Sequence, residues 1–453
     1  MKPGLIIGIL CLLFLSSCHK GQPKKTDQLF ETLPSSYTGI NFANIVDYTE
    51  ELNIYTYRNF YNGGGVAIGD INNDGLPDIF FCSNLKSNKL YLNKGNFKFE
   101  DITEKAGLNS EGIWSTGATF ADVNGDGLLD IYVCKSGDFK GKNRSNALYI
   151  NNGNNTFTES AKAYGLDNIG LSTHAVFFDY DNDGDLDCYL LNNSFRSVGN
   201  YDLIKDQRNV RDSAGGNKLY RNDNNHFVDV TQQAGIYSSK IGFGLGVTIA
   251  DVNKDGWQDI YVSNDFFERD YLYINNKDGT FTESLENSIR ELSMNSMGAD
   301  IADINNDGYP DIYVTDMLPG TEARVKTKTN FESWDKYQSN LKNGYYHQFV
   351  RNVLQLNQGP ANLTTKKTAK VNFSEIGRLA GVQATDWSWG ALITDLDNDG
   401  NKDIFVANGI YKDLTDQDYV QYTANPDEIR KILQGNKTDG IKKLIALMPS
   451  VPI

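Results

Sequence analysis

The stretch DINNDGLPDI, at residues 70–79, returns five more times along the chain with few changes. The copies are DVNGDGLLDI at Asp122, DYDNDGDLDC at Asp179, DVNKDGWQDI at Asp251, DINNDGYPDI at Asp303 and DLDNDGNKDI at Asp395. All six fit the pattern D-x-[DN]-x-D-G-x-x-D, with oxygen-bearing side chains at positions 1, 3, 5 and 9 and glycine at position 6. The shared feature is therefore a short loop that is dense in oxygen ligands.

Oxygen atoms at alternate positions suit a hard cation, and calcium takes about six to eight of them from carboxylates, amides and backbone carbonyls. The glycine permits the sharp turn that returns position 9 to the metal. Position 7 varies in character, as expected if only its backbone carbonyl binds. We therefore predict about six structural calcium ions. The predicted ligands are Asp70, Asn72, Asp74, Leu76 and Asp78; Asp122, Asn124, Asp126, Leu128 and Asp130; Asp179, Asp181, Asp183, Asp185 and Asp187; Asp251, Asn253, Asp255, Trp257 and Asp259; Asp303, Asn305, Asp307, Tyr309 and Asp311; and Asp395, Asp397, Asp399, Asn401 and Asp403.

Two alternatives to this loop are an EF-hand and a plain turn without an ion. An EF-hand needs a glutamate at position 12 and helices on both sides. No copy has an acidic residue at position 12, and the flanks, such as GGGVAIGD and DIFFCSN, have the pattern of strands. Asp, Asn and Gly also form turns without a metal. Six copies with at least three carboxylates each favour the metal site, because unneutralised carboxylates repel one another.

The overall charge agrees with bound cations. The chain has 453 residues and a formal net charge of −15, of which six divalent ions would leave about −3. The acidic balance and the lack of a long Lys/Arg-rich run argue against a nucleic-acid partner.

The first 18 residues have the composition of an export signal. An apolar run at residues 5–15 follows Lys2 and is too short to span a bilayer. Leu15-Ser16-Ser17-Cys18 resembles a bacterial lipobox, which predicts lipidation at Cys18; the alternative is an ordinary secretory signal. Residues 19–36 are polar and are interpreted as a tether. Because His19 does not resemble an inner-membrane retention signal, we expect attachment to the outer membrane of a bacterial envelope.

The repeats predict an all-β fold. The loops recur with a period of 52 residues in two places and with insertions elsewhere, which is typical of a propeller or solenoid. Each repeat adds a segment such as KLYLN at Lys89, ALYIN at Ala147 or YLYIN at Tyr271, then a turn and a further short strand. Four antiparallel strands per repeat form one propeller blade. We predict a β-propeller over residues 37–412, with six recognisable repeats in a ring of six or seven blades.

Small residues five positions before most loops, such as Gly65 and Gly117, indicate that the first strand of each repeat lies at the axis. Cys82, Cys134 and Cys188 fall at core positions, so we expect free buried thiols. The largest insertions, at residues 192–216, 316–351 and after 409, all follow a second strand. They are therefore predicted to lie on the face opposite the metal loops.

The ends of the repeat region differ from its middle. Residues 413–453 are predicted to be helical, with Asn425-Pro426 opening one helix. The sixth repeat has no third and fourth strand, so the chain is interpreted as part of a longer protein. Residues 39–42, GINF, have the pattern of a stray fourth strand that would pair with the last blade and close the ring.

The loops, strands and aromatic positions together resemble the FG-GAP/VCBS-repeat family, whose propeller is like the N-terminal domain of integrin α subunits. DWSWGALITDLDNDG at Asp386 and YNGGGVAIGDINNDG at Tyr61 are similar to bacterial relatives of cartilage acidic protein, which often carry a C-terminal ASPIC/UnbV module. No trace of that module is found here. The resemblance implies calcium ligands at the loop positions named above, and a binding or adhesion role without an assigned activity.

Three functions remain open from the sequence. The first is a calcium-stabilised, lipid-anchored scaffold that binds a glycan or a protein. Aromatic residues of the insertions would contact the ligand, unless they pack within their own loops; they are Phe195, Tyr201, Phe331, Trp334, Tyr345 and Tyr346. The second is a polysaccharide hydrolase or lyase, for which the sequence offers acids and a base but no recognisable catalytic arrangement: Asp202, Asp206, Glu322, Glu332 and His347. The third is a structural spacer of a larger surface protein.

Overall fold

The computed structural model describes residues 28–110, 112–136, 143–196, 207–328, 334–359, 371–423, 425–433 and 437–450. The predicted signal, Cys18, Tyr201, Asp202, Asp206, Phe331 and Glu332 lie outside these ranges, as does most of the predicted tether. The described part consists mainly of short antiparallel strands in small sheets.

Five four-stranded sheets and one two-stranded sheet follow one another along the chain, and we call them blades 1 to 6. Blade 1 contains β1 (Val66–Gly69), β2 (Asp78–Phe81), β3 (Lys89–Asn93) and β4 (Phe99–Asp101), and blade 2 contains β5 (Ser115–Ala121), β6 (Asp130–Lys135), β7 (Ala147–Asn151) and β8 (Phe157–Glu159). Blade 3 contains β9 (Leu171–Phe178), β10 (Asp187–Asn193), β11 (Lys218–Asn222) and β12 (Phe227–Asp229), and blade 4 contains β13 (Gly244–Ala250), β14 (Asp259–Asn264), β15 (Tyr271–Asn275) and β16 (Phe281–Glu283). Blade 5 contains β18 (Gly298–Ala302), β19 (Asp311–Thr315), β21 (Val353–Asn357) and β22 (Phe373–Glu375), and blade 6 contains β23 (Ser388–Thr394) and β24 (Asp403–Asn408).

The first strands of successive blades contact one another in chain order, from β1 to β23. Apolar clusters fill each of the five interfaces between neighbouring blades. This is the all-β propeller-like arrangement that the repeats predict. The predicted pentapeptides coincide with the third strands, since KLYLN is β3 and YLYIN is β15.

The glycines at the axis allow this close approach of blades. A Cβ atom on Gly117 would lie 2.4 Å from the carbonyl oxygen of Thr173 in the next blade, and one on Gly298 would lie 2.4 Å from that of Trp389. Both distances are too short for a non-bonded contact between a Cβ atom and an oxygen, so a larger residue would not fit at either position. The prediction that small residues stand where blades converge is therefore confirmed.

Residues 39–49 contain no strand, so the prediction that residues 39–42 close the ring is wrong. Phe42 instead stacks on Phe81 of blade 1, with ring centroids 4.8 Å apart, and the backbone N–H of Asn41 donates to Tyr91. The following residues 44–62 form a segment that we call the plug. Its apolar cluster includes Tyr57 and Phe60, which pack against Trp114 of the loop that precedes β5.

The remaining elements lie outside the blades. A short parallel pair joins β17 (Leu292–Ser293) to β20 (Gln348–Phe349). The described α-helices are α1 (Ser35–Thr38), α2 (Ala161–Tyr164), α3 (Leu285–Ser288), α4 (Glu322–Lys328), α5 (Trp334–Lys342), α6 (Gly377–Ala380), α7 (Pro426–Leu433) and α8 (Lys437–Leu447). Short 3₁₀-helices lie at Arg58–Tyr61 and Gln207–Asn209, and a π-helix lies at Tyr419–Thr423. Among the described helices, none combines the length and the apolar character needed to cross a membrane.

Candidate functional site

All six acidic loops connect the first and second strand of a blade, and they share one hydrogen-bond pattern. In the first loop the carboxylate of Asp70 accepts the backbone N–H groups of Asp74 at 3.1 Å and Gly75 at 2.7 Å. The carboxylate of Asp78 accepts the N–H of Ile71 at 3.0 Å. The equivalent bonds recur in every other loop. Backbone donors therefore hold the carboxylates of positions 1 and 9 in the same orientation six times.

Each loop also contains two residues with positive φ. Position 6 is the glycine, with φ of 84° at Gly75, which confirms the predicted reversal. Position 4 is left-handed as well, with φ of 57° at Asn73 and 56° at Lys254. Position 4 is Asn in four loops, Gly in the second and Lys in the fourth. Asn and Gly favour positive φ, so the sequence carried a signal for this second turn residue that the ligand pattern left out.

The loops differ at position 3. In three of the four loops where this residue is Asn, its side-chain amide donates to the position-5 carboxylate, as Asn72 does to Asp74 at 3.1 Å. Where it is Asp, three carboxylates come within 4.8 Å of one another. These two groups are Asp179, Asp181 and Asp183 in blade 3, and Asp395, Asp397 and Asp403 in blade 6.

The third loop shows most directly that the residues fit a hard cation. Oδ1 of Asp181 and Oδ1 of Asp185 are buried and have no hydrogen-bond donor among the described residues. Burial is the main reason that the pKa of Asp187 is raised to about 8, and the charges of Asp181 and Asp185 add to the shift. A divalent cation would provide the missing partner for these oxygens and favour their charged form. The side chain of Asp185 belongs to this cluster, although only its backbone was expected to take part.

An asparagine of the third strand adds further hydrogen bonds to each acidic loop of blades 1 to 5. The last residue of each third strand is Asn, and the backbone N–H of Asn275 donates to the carboxylate of Asp259 at 2.8 Å. Its amide group donates to the carbonyl of Tyr180 in the preceding blade at 2.8 Å. Asn151, Asn222 and Asn357 make the equivalent bonds to both partners. These asparagines link the acidic loops of neighbouring blades.

The turns between third and fourth strands lie on the same face as the acidic loops. Lys277, in such a turn, lies 3.4 Å from the carboxylate of Asp255 and donates to its carbonyl at 3.0 Å. The insertions meet one another on the other side. Arg208 pairs with the buried Glu268 at 2.6 Å and donates to the carbonyl of Gly344 at 3.0 Å. The predicted division between a loop face and an insertion face agrees with these contacts.

On the insertion face, the plug, the blade-6 strand β23 and the C-terminal segment enclose a cavity of about 340 Å³. All three of these elements contribute aromatic side chains to its lining, and the loop between β14 and β15 adds one more. The aromatic lining residues are Tyr55, Tyr61, Phe266, Trp387, Trp389 and Tyr419. The rings of Trp387 and Trp389 stack with centroids 6.2 Å apart. The sequence pattern of the blades did not reveal this cavity, because neither the plug nor the C-terminal segment belongs to a repeat.

One carboxylate and one cation stand at this cavity. Asp265 is buried and accepts the N–H of Phe266 at 2.6 Å, while the guanidinium of Arg58 lies 4.4 Å above the ring of Phe266. Burial raises the pKa of Asp265 to about 7, and the charge of Asp316 adds to the rise while that of Arg58 opposes it. The cavity therefore combines apolar rings with a small charged group.

The FG-GAP-like repeat model matches residues 50–133, 138–190, 209–262 and 251–314, which together cover more than half of the chain. The chain belongs to the FG-GAP-like repeat family. These matches include the first five acidic loops, so the family pattern coincides with the geometry described above.

Two groups of relatives share parts of this FG-GAP chain. Cartilage acidic protein 1 of Xenopus tropicalis is 26% identical over 245 residues, which is 53% of this chain and 34% of that protein. Integrin alpha-6 of Homo sapiens is 35% identical over 88 residues, which is 16% of this chain and 7% of that protein. The chain therefore spans about a third of the length of the cartilage acidic protein that it matches.

Among solved structures, an Agrocybe aegerita lectin described as recognising non-reducing terminal N-acetylglucosamine matches with a TM-score of 0.38 and 18% identity. The match covers 75% of this chain and 73% of that chain. This likeness is too low to support an argument about the ligand of the FG-GAP chain.

The ligand-contact candidates of the insertions that fall within the described ranges have different surroundings. Trp334 is 71% exposed on α5, and Phe195 is 42% exposed beneath the guanidinium of Arg144. Tyr345 is only 3% exposed, and the hydroxyl of Tyr346 donates to the carbonyl of Ile289 at 2.9 Å. Tyr345 and Tyr346 therefore pack within the fold, which agrees with the alternative that the aromatic residues of the insertions have a packing role.

The acids and base considered for catalysis have structural partners where they are described. The side chain of Glu322 is 81% exposed and pairs with Lys326 of the same helix at 2.6 Å. His347 lies 2.6 Å from the hydroxyl of Tyr337. Cys82, Cys134 and Cys188 are free and buried, as predicted.

Proposed function

We propose that the FG-GAP chain is a binding scaffold in which calcium ions hold the loop face and a glycan or protein ligand occupies the insertion face. The observation that supports this proposal most is the aromatic cavity of about 340 Å³, which the plug and the C-terminal segment form together with strand β23 of blade 6. Cavities of this size, lined by aromatic rings with a few polar groups, are typical of ligand sites. The rigid blades would supply a fixed frame for such a site.

The calcium part of the proposal is supported by the six loops. The carboxylates of positions 1, 5 and 9 would hold the ion together with the side-chain oxygen of position 3, which is Asn in four loops and Asp in two. When bound, calcium supplies positive charge that neutralises the clustered carboxylates. The chain itself orients those carboxylates through the backbone N–H groups of positions 2, 5 and 6. The loops lie on the face opposite the cavity, so we assign the ions a structural role.

The cavity is tested by replacing one of its rings. The indole N–H of Trp389 donates to the carbonyl of Gly409 at 2.8 Å, and its ring stacks on Trp387, so Trp389→Ala removes part of the cavity wall. Trp334→Ala is the matched control, because Trp334 is an exposed indole that does not line the cavity.

Both variants and the parent chain would be applied to glycan and extracellular-protein arrays. We expect the parent and Trp334→Ala to retain the same ligands, and Trp389→Ala to lose at least tenfold in affinity. Loss of binding in Trp334→Ala with full retention in Trp389→Ala would place the ligand elsewhere and contradict the proposal.

Membrane attachment forms a separate part of the proposal. It is supported by Leu15-Ser16-Ser17-Cys18, which resembles a lipobox. Lipid on Cys18 would place the propeller at the bacterial cell envelope, at the outer membrane. Cys18→Ala is expected to move the protein from the membrane fraction to the soluble fraction, whereas Cys82→Ala, at a buried position, would leave the distribution unchanged. A Cys18→Ala protein that remains in the membrane fraction would rule out this anchor.

A further inference from the structure

A second cavity on the insertion face borders the same plug residues as the aromatic cavity. Its volume is about 190 Å³, several times the roughly 30 Å³ that one water takes up in the liquid. Residues 54–59 of the plug form one wall, and residues 194–196, which begin the insertion of blade 3, form another. Four plug residues line both cavities: Ile54, Tyr55, Arg58 and Asn59. The two cavities are therefore neighbours that share one short stretch of the plug.

Positively charged side chains line this second cavity, which we call the arginine cavity. Its described lining includes Arg58 and Arg196 and contains no acidic residue. A third guanidinium, that of Arg144, lies 5.0 Å from the ring centroid of Phe195 in the cavity wall. Asp265, on whose carboxylate the charge of Arg58 acts, lines the aromatic cavity but not this one. In a chain with a formal net charge of −15, such a local excess of positive charge favours an anion.

The backbone holds Arg196 at the arginine cavity while its guanidinium stays available. The N–H of Arg196 donates to the hydroxyl of Ser194 at 3.1 Å, and that hydroxyl donates to the carbonyl of Lys240 at 2.6 Å. Among the described residues, no carboxylate forms an ion pair with Arg196, whose side chain is partly buried. The planar fork of a guanidinium matches an anionic group with two parallel hydrogen bonds. Arg196 is therefore placed to bind an anionic group of a ligand.

We infer that the ligand of the insertion face is an acidic glycan that spans both cavities. One sugar ring packs against the rings of the aromatic cavity, and a carboxylate or sulfate of a neighbouring sugar pairs with Arg196 and Arg58 in the arginine cavity. The inference rests on the proposed function and narrows its ligand to glycans that carry acidic groups. Uronic acids and sulfate esters are the two sources of such a group.

The arrangement of rings and charges favours a glycan over other anionic polymers. Duplex DNA carries one charge per roughly 1.7 Å of its axis, so the acidic chain would repel it strongly, whereas an acidic glycan has its charges further apart. The indoles of Trp387 and Trp389, with centroids 6.2 Å apart, give an extended apolar surface for a sugar ring. A sugar ring also holds its acidic group on a rigid frame, so less conformational entropy is lost than for an Asp or Glu side chain of a peptide.

The binding test uses acidic glycans and their neutral counterparts. An array of uronate-bearing and sulfated oligosaccharides, each beside its carboxyl-reduced or desulfated form, is applied to the full chain in calcium. Hyaluronate with carboxyl-reduced hyaluronate represents the carboxylate source, and dextran sulfate with dextran represents the sulfate source. We expect at least one acidic glycan to bind, and its neutral counterpart to bind at least tenfold more weakly.

Protein variants locate the anionic group. Arg196→Gln should weaken binding of the acidic glycan at least tenfold and leave binding of its neutral counterpart unchanged, and Arg196→Lys, which keeps the charge but not the fork, should lose less. Arg378→Gln is the matched control, because Arg378 is an exposed arginine of α6 that lines neither cavity. Its affinity should equal that of the parent. Equal Tm values in calcium would show that the variants remain folded.

Several results would overturn the inference. Failure of every acidic glycan to bind would do so, as would equal losses in Arg196→Gln and Arg378→Gln, because binding would then follow the general surface charge. A neutral glycan, an acidic peptide or an oligonucleotide that binds more tightly than every acidic glycan and is lost in Trp389→Ala would overturn it but leave the proposed function intact. An acidic glycan that binds Trp389→Ala as tightly as the parent would contradict both.

Discussion

At the scale of single residues, burial decides how the charged groups of the two faces behave. The carboxylates of the acidic loops are clustered and oriented by backbone donors, which prepares them for a cation. Asp265, on the insertion face, accepts the backbone N–H of Phe266 at 2.6 Å and lies near the charge of Arg58. It is thus a buried group whose protonation is linked to folding.

The substitution Asp265→Asn tests this linkage. The pKa of Asp265 is raised from 3.8 to about 7, so the folded chain holds a proton that the unfolded chain releases between these values. The resulting stabilisation is complete below the unfolded pKa and is lost as the pH rises through about 7. The Tm of the parent, in calcium, should therefore fall between about pH 5 and about pH 8 by more than that of Asp265→Asn.

The matched control is Glu100→Gln, at an exposed side chain of β4. Its pH profile should follow that of the parent. Parallel profiles for the parent and Asp265→Asn would show that Asp265 does not carry this dependence.

Some residue roles could be predicted from the sequence and others could not. The shared geometry of the six loops could, because one spacing repeated six times predicts one turn structure, while the assignment of calcium ligands stays a prediction. The role of Asn275 could not, since its amide bonds to Tyr180, which lies 95 residues earlier in the chain. A repeated strand shows that this asparagine recurs, but only the packing of neighbouring blades shows which carbonyl it reaches.

At the scale of elements, the C-terminal segment is held to an insertion of blade 5 by charged groups. Asp413 has a side chain that is 2% exposed, and it pairs with Lys328 and, at 3.4 Å, with Arg324. Arg324 also pairs with Asp386, and Lys328 with Asp416 at 2.8 Å. These ion pairs thus join helix α4 to the segment after blade 6 on the insertion face, beside the cavity.

Removing the buried charge should loosen this junction. Asp413→Asn keeps the shape of the side chain but leaves two cations with one partner each, and we expect a loss of roughly 1–3 kcal/mol in the free energy of unfolding. Glu322→Gln is the control, because its pair with Lys326 is exposed and such pairs contribute about 0.5 kcal/mol or less. Urea unfolding of both variants measures the difference. Equal and small effects would show that the junction does not depend on Asp413.

The strands of the blades could be predicted because three local signals agree: apolar and polar residues alternate, turn residues bound each run, and the same runs recur in every repeat. The stray strand at residues 39–42 was predicted wrongly for the opposite reason. Its pattern allows an extended conformation, but a strand also needs a partner, and Phe42 finds its contact on Phe81 without pairing. The plug and the cavity belong to parts of the chain without a repeat, so no comparison within the sequence could reveal them.

At the scale of the whole molecule, the two faces of the propeller are built from different elements. Short turns and clustered carboxylates lie on one face, and the plug, insertions and C-terminal segment lie on the other. In this account calcium maintains the blades, and the ligand contacts only the insertion face. Removal of calcium should therefore affect binding only through loss of the fold.

The most direct test is the Tm of the full chain in excess calcium and in excess chelator. Each site at a hundredfold excess over its Kd would add about 2.7 kcal/mol, while a whole domain typically has about 5–15 kcal/mol. Several sites together would therefore be comparable to the total stability, and we predict a large fall in Tm on chelation that added calcium reverses. An unchanged Tm in chelator would contradict the structural role of these six loops.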